Sequence, residues 1–272
     1  MIIDFHTHIF PDKVAEKAIP KLAAKSNIVP STNGTMDGLK SSMEQAEIDL
    51  SVVLPVITDP KQFESVLKFA VQVNETCLHN DGPRLLSFCG VHPESSNIKE
   101  QLQAIKNEGI LGIKIHPQYQ DVLFDDIRYM RLIYAASELG LIVLTHTGFD
   151  VGIPDKEYCT PDMITHVLDE VAPPKIVLAH MGNNQHYEET LMKLCGRNVY
   201  FDTSYSFVNM PEDLFVKLVR AHGAEKILFA SDAPWTVQKD GVEKLRNLTA
   251  LSEKEKKLIF SQNAIELLGL HA

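Results

Sequence analysis

Residues 110–148 read ILGIKIHPQYQDVLFDDIRYMRLIYAASELGLIVLTHTG. A short, nearly continuous apolar run (110–117) is followed by a stretch of helical period (129–140) that ends in Gly140, and then by a second apolar run (141–148). This is the pattern of one strand–helix–strand unit. Both runs are rich in branched residues and lack the alternation of a half-solvated sheet, as expected of parallel strands covered on both faces. Working outward, runs of the same kind recur at 1–8, 51–57, 85–93, 175–182, 198–204 and 227–234, with helical stretches such as 212–223 between them. Eight strands alternating with helices in 272 residues predict an α/β protein, a closed (β/α)8 TIM barrel forming a single domain over residues 1–272.

The gap between the first two strands is long, from Ile9 to Leu50. Helices are expected around 12–25 and 36–48, separated by SNIVPSTNGT (26–35). A helical insertion at 9–50 would lie over the barrel mouth as a lid or specificity element, or would serve packing or oligomer contact. In the tail 251–270, Ser252 and Glu255 have capping-box spacing ahead of an apolar helical pattern, the expected last barrel helix.

The formal charge of -10 argues against a nucleic-acid binder, which carries a basic face. No apolar stretch reaches the length of a membrane span. Cys77, Cys89, Cys159 and Cys195 are scattered without a C-x-x-C pair, which reads as reduced thiols. A cleaved leader would remove Asp4, His6 and His8, so the expectation is a cytoplasmic protein acting on a small molecule, with homo-oligomerisation open.

Each run passes from apolar to polar at its carboxyl end, where (β/α)8 enzymes place their chemistry. Strand alternation puts Asp4, His6 and His8 on one face, with the two imidazoles able to converge on one ion. Counting back in twos gives Gly112–Lys114–His116, Ile142–Leu144–His146, Ile176–Leu178–His180 and Leu228–Ala230–Asp232 as inward sets, provided no bulge intervenes. Singly, each histidine reads as a hydrogen-bonded loop residue and Asp232 as a helix cap. Jointly, histidines ending the first, fifth and sixth strands with an aspartate ending the eighth make a borderline-soft site for zinc, with iron or manganese as alternatives. His92 in GVHPE has an ambiguous phase; Asp202 and Ser204 line the pocket or cap a helix; His79, His166, His186, His222 and His271 read as ordinary surface residues.

DFHTHIFP, GIKIHP, LTHTG, LAHMG, FDTS, SDAPW and the closing NAIELLGL together resemble the amidohydrolase-related metal-dependent (β/α)8 hydrolases, the branch that includes aminocarboxymuconate-semialdehyde decarboxylase. The resemblance implies that His6, His8, His146 and Asp232 are metal ligands and that His180 orients or deprotonates the attacking water, with Asp232 sharing the proton work. Asp4 is read as an inward carboxylate that orients an imidazole. Lys114 is read as a clamp for an anionic substrate group, with His116 a substrate contact. The alternative is a carbamylated Lys114 bridging two ions, with His116 a second-site ligand; one ion is the favoured count. The activity implied is metal-assisted hydrolysis of an amide, lactone or ester in a small anionic substrate. Its alternatives are non-oxidative decarboxylation, phosphoester hydrolysis and a non-catalytic metal-binding barrel.

Overall fold

The computed structural model describes residues 1–78 and 82–270, so His79 and His271 lie outside the described residues. Each apolar run carries a strand: β1 (Ile3–Thr7), β2 (Leu50–Val53), β3 (Arg84–Ser87), β4 (Cys89–Gly90), β5 (Gly112–Ile115), β6 (Ile142–Thr145), β7 (Ile176–Leu178), β8 (Tyr200–Asp202) and β9 (Ile227–Leu228). All pair in parallel in chain order, as a three-stranded sheet β1–β3 and a six-stranded sheet β4–β9. β3 and β4 are two pieces of one barrel strand, interrupted at Phe88. The regular ladder is therefore not an unbroken ring. Single bonds cross its seams: Phe88 N–H to Val53 O at 2.9 Å, Phe5 N–H to Phe229 O at 2.9 Å and His8 N–H to Ala233 O at 2.7 Å.

Two apolar clusters follow from this arrangement. Ile3, Phe5, Leu50, Val52, Phe88, Ile142, Leu144, Val177, Leu228 and Ala230 fill the barrel interior. The opposite faces of the strands pack against the helices in a larger cluster. Gly112 belongs to the inner face, and a Cβ there would meet Phe88 Cε2 at 2.5 Å and Ile142 O at 2.7 Å, so only glycine fits. In the last helix, Ser252 and Glu255 form the expected capping box. Residues 258–262 then widen into a π turn, and the Ile259 carbonyl accepts from Phe229 N–H at 2.8 Å, tying this helix to the end of β9.

The inward sets expected for β5, β6 and β9 match the packing, but those for β1 and β7 do not. On β1 the register runs Ile3↔Leu50, Asp4↔Ser51, then Thr7↔Val53, so β1 holds one extra residue. That bulge shifts the side-chain phase: Ile3 and Phe5 face the interior. Asp4 instead accepts from Ser231 Oγ at 2.6 Å, Ser231 N–H at 2.9 Å and Gln238 Nε2 at 2.7 Å. Its link to His6 is the backbone N–H at 3.2 Å, so Asp4 braces the bulge and orients no imidazole. On β7, Val177 and Ala179 face inward while Ile176 and Leu178 pack outward. His180 reaches the mouth through left-handed backbone at His180 and Met181 (φ 57° and 54°), not through strand alternation.

The insertion holds α1 (Asp12–Ser26) and α2 (Met36–Ala46). Its linker is pinned to the segment after β9 by Ser31, whose N–H donates to Pro234 O at 2.7 Å and whose Oγ donates to Thr236 O at 2.7 Å. Among the described residues no helix is long and apolar enough to cross a membrane.

His166 is exposed and His186 half-buried, but His222 is not a surface residue. It is buried, stacks on Phe201 at 3.8 Å, and its Nε2 meets Val199 O at 3.0 Å. Burial pulls its pKa down to about 4. The unfolded chain therefore binds a proton at this residue below about pH 6.5 that the folded chain refuses until about pH 4. Stability is expected to fall as pH drops through that window, by up to about 3 kcal/mol from this group. His222→Phe should show a smaller loss of melting temperature between pH 6.5 and 4 than the parent; equal losses would refute the assignment.

Candidate active site

At the carboxyl ends of the strands the structure brings His6, His8 and Asp232 together. His6 Nε2 lies 3.2 Å from His8 Nε2, and Asp232 Oδ1 lies 3.2 Å from His8 Nε2 and 3.6 Å from His6 Nε2. Donor atoms held about 2.0–2.1 Å from a tetrahedral ion stand about 3.3 Å apart, so this triangle has the dimensions of one face of such a shell. The tautomers agree. His6 Nδ1 donates to Asp202 Oδ2 at 2.8 Å and His8 Nδ1 donates to Leu54 O at 2.9 Å. Both Nε2 atoms are thereby left as lone pairs facing each other, an arrangement that calls for positive charge. The Lys114 ammonium already meets one of them, at 3.1 Å from His6 Nε2. Burial alone would raise the Asp232 carboxyl, but the neighbouring His6 and His8 rings hold it below the usual carboxylate range. Three donors of this chemistry fit a divalent cation.

The bulge in β1 makes this possible by turning His6 and His8 to the mouth while Phe5 stays in the core. Asp232 has φ 77°, and its N–H bonds to His6 O at 2.9 Å, so the left-handed turn after β9 delivers the carboxylate to the end of β1.

His146, expected as a further ligand of that set, lines the same cavity. It groups with His116 and Asp150. Its ring stacks on His116 with centroids 4.2 Å apart and planes 9° from parallel, and its Nδ1 meets His180 Nε2 at 2.9 Å. The ring is thus oriented by two neighbouring histidines and not by the β1 pair. His180 Nδ1 lies 2.9 Å from both Ser204 O and Ser204 Oγ.

Asp202 links the two halves of the mouth. One oxygen takes His6 Nδ1–H; the other accepts from His180 N–H and Ser204 N–H, each at 3.0 Å, and from Ser204 Oγ. It is fully buried and neither lines the cavity nor caps a helix. Sequence phase singled out Asp202 without its job, because its partners lie 196 and 22 residues away. Asp150 was missed altogether: it sits in a loop with no periodicity to mark it.

Lys114 is buried, and desolvation lowers its pKa to about 8 against the pull of Asp202, Asp232 and Asp150. His116 is placed by Gln120, whose Oε1 accepts from His116 N–H at 3.0 Å. Burial, reinforced by Lys114, keeps His6 and His116 well below the usual imidazole range; for His146 burial acts first and then His116 and His180. Above these groups is a cavity of about 170 Å³, room for a small molecule. Val56, Phe149 and Trp235 line it, and the insertion adds Phe10, Leu22, Ser26 and Ile28. His92 is buried but is not part of this wall.

The amidohydrolase family model matches residues 3–270. No curated protein matches the sequence. Among solved structures, 2,6-dihydroxybenzoate decarboxylase from Rhizobium superposes with a TM-score of 0.74 at 16% identity, covering 99% of this chain and 98% of that one. A manganese-bound dihydroxybenzoic acid decarboxylase from a Polaromonas species gives 0.72 at 16% identity, over 100% and 98%. A probable 2-pyrone-4,6-dicarboxylic acid hydrolase from Acinetobacter baumannii gives 0.68 at 16% identity, over 99% of each chain. These likenesses show the TIM-barrel fold.

Proposed function

We propose, from the premise that this chain belongs to the amidohydrolase family, that it is a metal-dependent enzyme carrying out non-oxidative decarboxylation of a small, planar carboxylated molecule. The observation that carries the reading is a cation-ready trio, His6, His8 and Asp232, with the buried Lys114 beside it, opening into a cavity walled by Phe10, Val56, Phe149 and Trp235. Hydrolysis, expected from the sequence, becomes the second reading; the decarboxylases named among the structural neighbours support the change.

A divalent cation held by the trio would supply attraction for the substrate's oxygens and counter-charge for electrons released in the reaction. Zinc and manganese both suit two imidazoles and a carboxylate. Lys114 holds an anionic group of the substrate. The apolar wall excludes water, which strengthens that attraction and favours a charged carboxylate leaving as neutral carbon dioxide. As the carbon–carboxylate bond breaks, its electron pair stays on the substrate carbon, which takes the Nε2 proton of His180 in its imidazolium form and leaves the ring neutral, Nδ1 still facing Ser204. Ser204 and Asp202 keep the His180 ring in register for this. The insertion, through Leu22, Ser26 and Ile28, acts as a lid that shapes the pocket. The free cysteines support a reducing, cytoplasmic setting.

The test offers the zinc- and manganese-loaded protein a panel of aromatic and unsaturated carboxylic acids beside lactones, amides and phosphomonoesters. Carbon dioxide release with the decarboxylated product is expected. Ring opening or amide cleavage without carbon dioxide would replace this reading with hydrolysis, for which His180 would serve as the base.

A further inference from the structure

We infer that the substrate bears an apolar tail, which leaves the cavity past Ile28, Tyr205 and Trp235 and lies in a neighbouring groove of about 410 Å³. The inference rests on the cavity being the seat of a planar carboxylated head, and adds what that head carries.

The two hollows are continuous. Ile28, Tyr205 and Trp235 line both of them. Trp235 shares a turn with Asp232, its N–H bonding to the Asp232 carbonyl at 2.8 Å. The cation-ready group and the entrance to the groove are thereby set side by side. Ile28 lies on the insertion linker, which Ser31 fastens to the Pro234 and Thr236 carbonyls. The cavity itself, at about 170 Å³, has the scale of one aromatic ring. A substituent of several carbons has to continue beyond it, and the groove is the larger space.

The groove is apolar in its chemistry. Phe207, Val208 and Val237 supply side chains to its wall, and the two valines are 55% and 45% exposed. Its polar groups are already paired. Thr203 Oγ1 donates to Ala230 O at 2.9 Å, Ser231 Oγ to Asp4 Oδ2 at 2.6 Å, Thr236 Oγ1 to Ser231 O at 2.6 Å and Lys244 Nζ to Phe207 O at 2.5 Å. A polar tail would lose water there and gain few bonds, whereas an alkyl chain would cover valines that now face solvent. The exposed Asp240 on the same wall repels a second carboxylate. At Gly241 a Cβ would meet Phe229 at 3.6 Å and Phe207 at 4.0 Å, ordinary contact distances. Packing does not demand that glycine, and its missing side chain leaves room in the groove.

The test measures, by calorimetry on the manganese-loaded full-length protein, binding of benzoic acids carrying straight alkyl chains of zero to six carbons at the meta or para position. Affinity is expected to rise about fourfold per methylene over the first carbons and then to level off. Val208→Glu and Val237→Glu, both at exposed positions away from the reacting centre, should flatten that rise and leave benzoic acid bound as in the parent. In crystals grown with the hexyl acid, the chain should lie against Val208 and Trp235. A flat series in the parent, or a chain lying outside the groove, overturns the tail and leaves the decarboxylation reading standing. A rising series with no carbon dioxide released from any carboxylic acid supports the tail and overturns that reading instead. A dimer in solution that Val208→Glu splits would show a second copy of the chain on the groove, and overturns the tail. No acid bound at any length overturns both. The parent series and the crystal structure decide the question even if a variant misfolds.

Discussion

His8→Ala is expected to abolish ion binding at the His6–His8–Asp232 group and to lower turnover by at least about 10³-fold. The size follows from the donor count: two of three protein donors cannot hold an ion tightly at neutral pH. The electrostatic assistance an ion gives is worth several kcal/mol, each 1.36 kcal/mol being tenfold in rate. His8 is the right residue to remove because it is the least structural of the three. Its Nδ1 bonds only to the Leu54 carbonyl, and its side chain is 13% exposed. His6 is held by Asp202, and Asp232 is built into the turn after β9. Elemental analysis should show the loss while circular dichroism stays native. Parental metal content together with parental turnover would remove His8 from the centre.

His180→Asn carries the second large effect, a fall in turnover of about two to four orders of magnitude with metal content intact. Asparagine is chosen because His180 sits at φ 57°, a left-handed conformation that asparagine tolerates and most residues do not. A loss of activity therefore reports the missing proton carrier and not a broken turn. Unchanged turnover, or a fall accompanied by loss of metal, would move His180 out of the proton-transfer role.

The barrel was legible because burial on both faces leaves a compositional trace. A parallel strand covered by helices outside and by its neighbours inside must be apolar along its length, and eight such runs stand out against amphipathic helices. The ends of the strands were legible for the converse reason: His6, His8, His146, His180 and Asp232 break apolar runs where a core would not want them. Alternation then failed where the backbone departs from two-residue repeats. The extra residue in β1 turned Asp4 away from the imidazoles, and the left-handed pair His180–Met181 made the inward set on β7 Val177 and Ala179. His222 was misread because a histidine on an amphipathic helix looks the same whether it meets water or an aromatic ring.

The sequence by itself determined the architecture, the family and the set of polar residues delivered to the barrel mouth, since hydrophobic period and residue order act locally along the chain. Only the tertiary structure decided how those residues are shared out: His6, His8 and Asp232 in one group, His116, His146 and Asp150 in another, and Asp202 braced between His6 and His180. That division depends on which nitrogen of each ring is occupied by a carbonyl or carboxylate brought from tens to hundreds of residues away. Spacing along a chain carries no record of such a partner.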